Sequence, residues 1–290
     1  SVTGPFTQGF VDEWHHTRMG EYTYACSDFK FKKGLVSATK TSGHTLQIAD
    51  GLWLDKKFKA AMMKSIAQSE LDRKRFVYSD IGFILLQQVV EAVTGKTLDA
   101  YLVSEFYRPM GLEHTLFQPL NRYKKADIMP TAANDYLRRQ DLCGYVHDEA
   151  AAFMGGVSGN AGLFSTAQEL GKIYQMILNE GELDGKRYLR PETCRIFTTE
   201  KSAVSHRGLG YDKPNLKDPK ANACASSAPA SVYGHTGFTG TCAWVDPEND
   251  LVYIFLSNRL CPDAWNGKLN SMKLRQAVQE VIYQSLYTPE

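Results

Sequence analysis

No run of apolar residues in this sequence approaches the roughly 18 that a membrane-spanning helix requires. The most apolar stretch, Ile81–Val93, is interrupted by Gln87, Gln88 and Glu91. An excess of one charge is lacking too: 33 Lys and Arg stand against 32 Asp and Glu, a net charge of +1. Nucleic-acid binding usually shows a basic excess on one domain. The densest basic runs here, Lys30–Lys33 and Arg73–Arg75, are short, lie beside acids and read as solvated faces. A membrane span and a nucleic-acid partner are therefore not expected.

Six cysteines occur (Cys26, Cys143, Cys194, Cys224, Cys242 and Cys261), but none pairs at Cys-x-x-Cys spacing. That removes zinc-knuckle and thioredoxin readings, and the thiols read as free and mostly buried. His15-His16 and His147-Asp148-Glu149 lack His-Glu-x-x-His spacing. Asp148 and Glu149 are adjacent, so they point different ways and make no opposed acid–base pair. No cofactor is called for. There is no initiator Met, and Ser1-Val2-Thr3-Gly4-Pro5 resembles neither a signal peptide nor a structured start, so the chain reads as beginning in mid-protein. Internal repeats and long low-complexity linkers are absent as well.

What is present is globular material. Hydrophobic residues make up 43% and charged residues 22% of 290, enough apolar content for a sizeable core. The first 75 residues are irregular apart from a short helix around Met62 to Ile66. From Ser79 onward, Ile81, Leu85, Leu86, Val89, Val90 and Val93 recur at helical spacing and end at Gly95, suited to a left-handed C′ position. A second helix starts at Thr97, carries Leu98, Tyr101, Leu102 and Phe106 inward, and stops before Pro109. Thr166-Ala-Gln-Glu169 is a capping-box pattern before a third, with a stripe over Leu170, Ile173, Tyr174, Ile177 and Leu178, closed by Gly181.

The period then changes. Thr241–Val245 and Leu251–Ser257 are β-rich and joined by Asp246-Pro-Glu-Asn-Asp250, which reads as a hairpin. Leu274, Val278, Val281, Ile282 and Ser285 mark an amphipathic C-terminal helix, and Lys213–Ser231 reads as an exposed loop. The layout is α+β with segregated elements. It is one partial domain over 1–290, with a mostly helical or irregular lobe over 1–205 and a hairpin plus helix over 206–290.

Two motifs carry candidate chemistry. Tyr78-Ser79-Asp80 sits at the start of a helix, where N–H groups and the dipole favour an anion or a deprotonated oxygen. His235-Thr236-Gly237 precedes the hairpin. It offers a group that titrates near neutral pH, a glycine that permits close approach, and the Phe238 N–H as an oxyanion donor. Each also has an ordinary explanation: a packing tyrosine, a helix-capping Asp80, a structural histidine, a bend at Gly237.

The blocks together resemble a family. Tyr78-Ser79-Asp80-Ile81-Gly82, Val93-Thr94-Gly95-Lys96 and Met110-Gly111-Leu112-Glu113-His114-Thr115 are followed by Gly159-Asn160-Ala161-Gly162-Leu163-Phe164-Ser165-Thr166 and Gly234-His235-Thr236-Gly237-Phe238-Thr239-Gly240. In this order, from about Arg75 to Tyr287, they resemble the serine β-lactamase-related group of class C enzymes, D,D-peptidases and esterases. The resemblance implies a β-lactamase/transpeptidase-like fold, an antiparallel sheet flanked by helices plus a mostly helical lobe. It also implies a small ester, amide or β-lactam-like substrate, no cofactor, and a periplasmic or cell-surface location.

Carried over residue by residue, Tyr78 matches the tyrosine of Tyr-x-Asn, which relays protons to and from the nucleophile, and Asp80 takes the Asn position. His235-Thr236-Gly237 matches Lys-Thr-Gly, which binds the substrate carboxylate, and Phe238 supplies the second oxyanion-hole N–H. Two departures follow. His235 in place of Lys removes a permanent cation, and Asp80 in place of Asn is acceptor-only when ionised. Both suit an anionic substrate less well, and favour an esterase- or amidase-like relative or a non-catalytic one.

The family nucleophile is the Ser of Ser-x-x-Lys on a helix, where i and i+3 share a face. Ser37-Ala-Thr-Lys40 and Ser27-Asp-Phe-Lys30 match in letters only. Thr41, Ser42 and Gly43 end any helix after Ser37, and Ser37 precedes Tyr78 by about half the usual separation. The nucleophile is thus expected in an upstream segment or domain of the parent chain, leaving this fragment inactive and its sheet two strands short, with an exposed edge. The alternative is a non-catalytic binding or scaffolding domain, since such relatives occur fused behind family 3 glycoside hydrolases.

Overall fold

The computed structural model describes residues 11–13, 16–18, 24–26, 30–70, 76–199, 201–263 and 266–287. Ser1–Pro5, His15, Ser27 and Arg73–Arg75, all used in the sequence reading, lie outside them. The chain forms two compact units that interleave along the sequence. The first draws on Ser1–Tyr101, Leu116–Phe164 and Cys261–Ala264, and the second on Leu102–Thr115, Ser165–Leu260 and Trp265–Glu290. Strand pairings among the described residues are antiparallel throughout, and helices accompany them, so the α+β expectation holds.

The first unit is built on a small meander. Strands His44–Ala49 and Leu52–Asp55 are joined by Asp50-Gly51, and Val36–Ser37 pairs with the far side of Leu52–Asp55. Gly51 has φ +59°, the left-handed conformation that two-residue hairpin turns demand. Helix α1 (Phe58–Ala67) buries Phe58, Met62 and Ile66, a four-residue spacing that lines one face. These pack against Ile48, Leu54, Ile84, Leu137 and Phe153, and the Phe58 and Phe153 rings lie 5.2 Å apart, tilted by 56°. A second hairpin, Pro130–Asp135 with Gln140–Cys143, and helix Glu149–Phe153 complete the unit. Asp148 caps that helix by accepting the Ala151 N–H at 2.7 Å.

Helix α2 (Ile81–Thr94) ends at Gly95 with φ +66°, as the sequence predicts. Its buried face differs from the apolar stripe. Ile84 and Gln87 are buried, whereas Leu85, Leu86, Val89 and Val93 face solvent, Val93 at 80% exposure. The reason lies in a loop distant in sequence: Gln87 donates to the Val157 carbonyl (3.2 Å) and accepts the Gly159 N–H (3.1 Å). A polar side chain that satisfies a loop backbone thereby holds a core position.

In the second unit, helix Ala167–Leu178 is N-capped by Thr166, whose hydroxyl accepts the Glu169 N–H at 3.3 Å. Only half the expected capping box forms, because the Glu169 carboxylate turns instead to the Glu113 and His114 amides and the Thr115 hydroxyl. Strands Tyr233–Thr236, Cys242–Asp246 and Leu251–Phe255 form a three-stranded sheet in that order. The predicted hairpin turn is fixed by Asp246, which accepts the Glu248 N–H (2.9 Å) and the Tyr283 hydroxyl (2.8 Å). Among the described residues, Leu251–Phe255 pairs on one side only, in line with a sheet short of strands.

The C-terminal helix Leu274–Tyr287 repeats the lesson of α2: Gln279 and Tyr283 are buried, while Val278 and Val281 are exposed. Gln279 accepts the Ala225 N–H at 2.8 Å. The stretch Lys213–Ser231 is irregular but not simply exposed, because Lys213, Cys224 and Ala225 are buried. Lys213 donates to the Thr198 carbonyl at the end of helix Pro191–Thr199, a favourable place for a cation, and burial pushes its amine down to about 8.

Candidate active site

Tyr78 and Asp80 belong to the first unit. Tyr78 lies in an extended segment just before α2 and is 56% exposed. Asp80 holds the N-cap position, yet its side chain makes no cap hydrogen bond; the Ser79 hydroxyl accepts the Ile81 N–H instead, at 3.3 Å. The capping explanation for the Asp80 carboxylate therefore does not apply, and Tyr78 is not a core residue.

The segment that carries them is braced by a glycine-rich loop. Besides its bonds to Val157 and Gly159, Gln87 donates to Glu91 at 3.0 Å. Asn160 donates to Asp148 at 3.2 Å and accepts the Ser158 hydroxyl at 2.6 Å. A Cβ on Gly159 would lie 2.1 Å from the Phe83 carbonyl oxygen, so the loop rests on the backbone of the first turn of α2. The Gly159–Gly162 block thus meets α2 at Phe83 and Gln87, just beyond the Tyr78–Gly82 block. Gly159→Ala is expected to lower stability by about 1–3 kcal/mol through overpacking against backbone. Urea denaturation checks this, and a loss under about 0.5 kcal/mol would show that the loop does not bear on α2.

The second unit carries His235, Thr236, Gly237 and Phe238. His235 pairs with Ala243 and Thr236 with Cys242. The chain then turns tightly: Gly237 N–H donates to the Thr241 carbonyl (2.7 Å) and Gly240 N–H to the Gly237 carbonyl (3.1 Å). Phe238 is 66% exposed, with the Arg259 guanidinium 4.3 Å above its ring. Arg259 Nε donates to the Phe238 carbonyl at 2.7 Å, and Arg275 Nη1 donates to the Gly237 and Thr241 carbonyls. The His235 ring contacts the Thr236 carbonyl through Nδ1 (2.7 Å) and Arg207 Nη1 through Nε2 (3.0 Å). Arg207 Nη2 lies 3.3 Å from the buried Asp212, which also holds His206 Nε2 at 2.9 Å. Two Arg side chains brace the turn and a third attends the histidine.

Ser37, the one described serine at Ser-x-x-Lys spacing considered above, is on strand Val36–Ser37 opposite Trp53. Its hydroxyl accepts the Thr39 N–H at 3.3 Å, and Lys40 lies 5.5 Å from the centre of the Trp53 ring. A strand does not place i and i+3 on one face.

The beta-lactamase family model matches residues 38–271. The chain belongs to the beta-lactamase family. That family is one of serine hydrolases, and it includes penicillin-binding-protein relatives. A protein of Escherichia coli K12 named "Putative D-alanyl-D-alanine carboxypeptidase" is 34% identical, over 88% of this chain and 61% of its own length. A protein of the same name from Salmonella gallinarum is 32% identical over 73% of this chain and 52% of its length. The chain thus spans about three fifths or less of these curated relatives. The solved structure of EstCE1, described as a hydrolase with promiscuous acyltransferase activity, superposes with a TM-score of 0.51 at 18% identity, over 76% of this chain and 61% of that one. It shares the fold.

Several residues at the two motifs escaped the sequence reading: Gln87, Arg207, Asp212, Arg259 and Arg275. Gln87 was legible in principle as a polar residue inside an apolar run. Arg207 lies 28 positions from His235, Arg259 lies 21 from Phe238 and Arg275 lies 38 from Gly237, at no motif spacing, and nothing local marks them.

Proposed function

We propose that this chain is the larger part of a serine acyl hydrolase whose nucleophilic serine is carried by a segment outside it. The observation that carries the reading is the placement of Ser37 on a strand while Tyr78, outside the core, is more than half exposed just before α2. Tyr78 relays the proton to and from the serine. His235-Thr236-Gly237 and Phe238 receive the substrate, a small ester, amide or β-lactam-like molecule; the curated relatives' names point among these to a D-alanyl-D-alanine peptide. Exposed surface supports an added segment. Leu85, Leu86, Val89 and Val93 form an apolar stripe on α2, of the kind that marks an interaction face. Strand Leu251–Phe255 has an unpaired edge among the described residues, and an open groove lined by Gly171, Lys172, Gln175, Val252 and Ile254 runs beside it. Such an edge is a template for another strand.

The test is covalent labelling with a fluorophosphonate and a fluorescent penicillin, read by intact mass and peptide mapping. The chain alone is expected to stay unlabelled. With the parent protein's preceding segment restored, one serine of that segment is expected to be acylated, and Tyr78→Phe should slow acylation by about 100-fold or more. An adduct on Ser37 would overturn the reading. A restored protein that is folded yet unlabelled would favour a binding domain of the same fold.

A further inference from the structure

We propose that Arg275 is a positioning residue for acyl transfer: it fixes and polarises the peptide unit whose N–H, that of Phe238, receives the developing oxyanion. The inference rests on the hydrolase reading above and deepens it. Every residue concerned belongs to the second unit.

The turn Gly237–Thr241 is held by its carbonyls, all five of which accept a hydrogen bond. Gly237 accepts the Gly240 N–H and Arg275 Nη1, and Phe238 accepts Arg259 Nε. Thr239 accepts the Arg259 N–H, Gly240 the Ser257 hydroxyl, and Thr241 both the Gly237 N–H and Arg275 Nη1. Arg275 Nη1 thus bridges the first and last carbonyls of the turn, at 3.2 and 2.9 Å. The arginine is itself fixed at both ends. The Tyr253 hydroxyl donates to its backbone carbonyl at 3.0 Å, and Nη2 donates to Asn270 Oδ1 at 3.1 Å.

Two features set Arg275 apart from an ordinary bracing side chain. It stands in the first turn of helix Leu274–Tyr287, where the positive end of the dipole disfavours a cation. Among the described residues no carboxylate pairs with it or with Arg259. Burial, and then the nearby Arg275 charge, hold the Arg259 guanidinium below its ordinary value. The charge of Arg275 is therefore answered by carbonyl oxygens alone.

Peptide geometry sets what those oxygens transmit. The bond between Gly237 and Phe238 is trans, so its C=O and N–H share a plane and point in opposite directions. A guanidinium that fixes the Gly237 oxygen thereby fixes the direction of the Phe238 N–H. A charge-assisted hydrogen bond also draws electron density onto that oxygen, which makes the N–H of the same unit a stronger donor. When a serine oxygen adds to an ester carbonyl, the π pair moves onto the carbonyl oxygen. The serine proton then passes through Tyr78 to the departing alkoxide as the π bond re-forms. The anion exists only between those two events, and a donor already aimed at it needs no reorganisation.

The test has two arms. In the chain itself, backbone nitrogen relaxation reads the Phe238 amide. Its order parameter is expected at about 0.85 in the wild type and below about 0.6 in Arg275→Gln, with strand Cys242–Asp246 unchanged. In the full parent protein, para-nitrophenyl acetate is compared with its thionoester, whose carbonyl sulfur is a weak acceptor. Arg275→Gln should slow acylation by the oxygen ester about 10- to 100-fold and by the thionoester less than about threefold. Arg275→Lys, which keeps a charge near the Gly237 carbonyl, should recover part of the loss. Equal losses on the two esters would mean a merely structural role and overturn the proposal, as would an unchanged Phe238 amide. A folded parent inert to both esters overturns the hydrolase reading instead, and the amide alone then decides whether Arg275 holds this peptide unit.

Discussion

Asp135→Ala is expected to lower the unfolding free energy by about 3–5 kcal/mol, the range found when one partner of a buried ion pair is removed. Asp135 and Arg138 have no side-chain exposure, and Arg138 Nε lies 2.8 Å from Asp135 Oδ1. Asp135 also accepts the Arg138 backbone N–H (2.7 Å) and Nη2 (2.9 Å). Nη2 also donates to the His147 carbonyl at 2.7 Å and the Val146 carbonyl at 3.4 Å. Deleting the carboxylate would leave a guanidinium in the interior with carbonyl oxygens alone to answer it. Charge, not packing, sets the size of the effect. The double replacement Asp135→Leu with Arg138→Met should therefore lose much less than the single one. Urea denaturation of the three variants decides the matter, and equal losses for single and double variants would refute the charge argument.

Much of the architecture was readable from the residues. The α2 stop at Gly95, the Thr166 cap and the Asp246–Asp250 hairpin turn all come from local chemistry, because caps and turns are set by a few neighbouring atoms. The meander over Val36–Asp55 was missed although Asp50-Gly51 is a strong two-residue turn signal. Its strands are short and alternate weakly, so no stretch of period two stands out. The harder failures concern which side of a helix is buried. On α2 and on the C-terminal helix, a glutamine holds a core position because it satisfies a loop backbone far away in sequence, at Gly159 and at Ala225. Hydropathy cannot see a partner 54 or 72 residues away. The same limit hid Arg207: its importance follows from His235 and Asp212 together, and neither is at a helical or strand spacing from it. Motif positions such as Tyr78 and His235 were legible because they sit beside recognisable turns; the groups that position them were not.

The Glu169 cluster gives the second large effect, and its pH dependence can be signed. The carboxylate accepts the Glu113 N–H (2.8 Å), the His114 N–H (3.0 Å), His114 Nδ1 (3.0 Å) and the Thr115 hydroxyl (2.6 Å). Thr115 is itself buried and bonded to Ser165 at 2.7 Å. This one side chain therefore pins the segment Glu113–Thr115 to the first turn of helix Ala167–Leu178, where a negative charge is also favoured by the helix dipole. Glu169→Ala should destabilise the chain by about 3 kcal/mol, since buried amides and a hydroxyl lose their charged acceptor. Burial works against ionisation of Glu169, but the donors of Thr115, His114 and Glu113 outweigh it and hold the carboxyl below its ordinary value of 4.5. A depressed folded-state value means that the stabilisation is complete above the unfolded value and is lost as pH falls through the folded one. The stability gap between the wild type and Glu169→Gln should accordingly stay constant from about pH 7 to 5, then narrow towards pH 3. Thermal or urea unfolding across that range tests it, and a gap that widens on acidification would mean that the neutral acid, not the carboxylate, is what these donors hold.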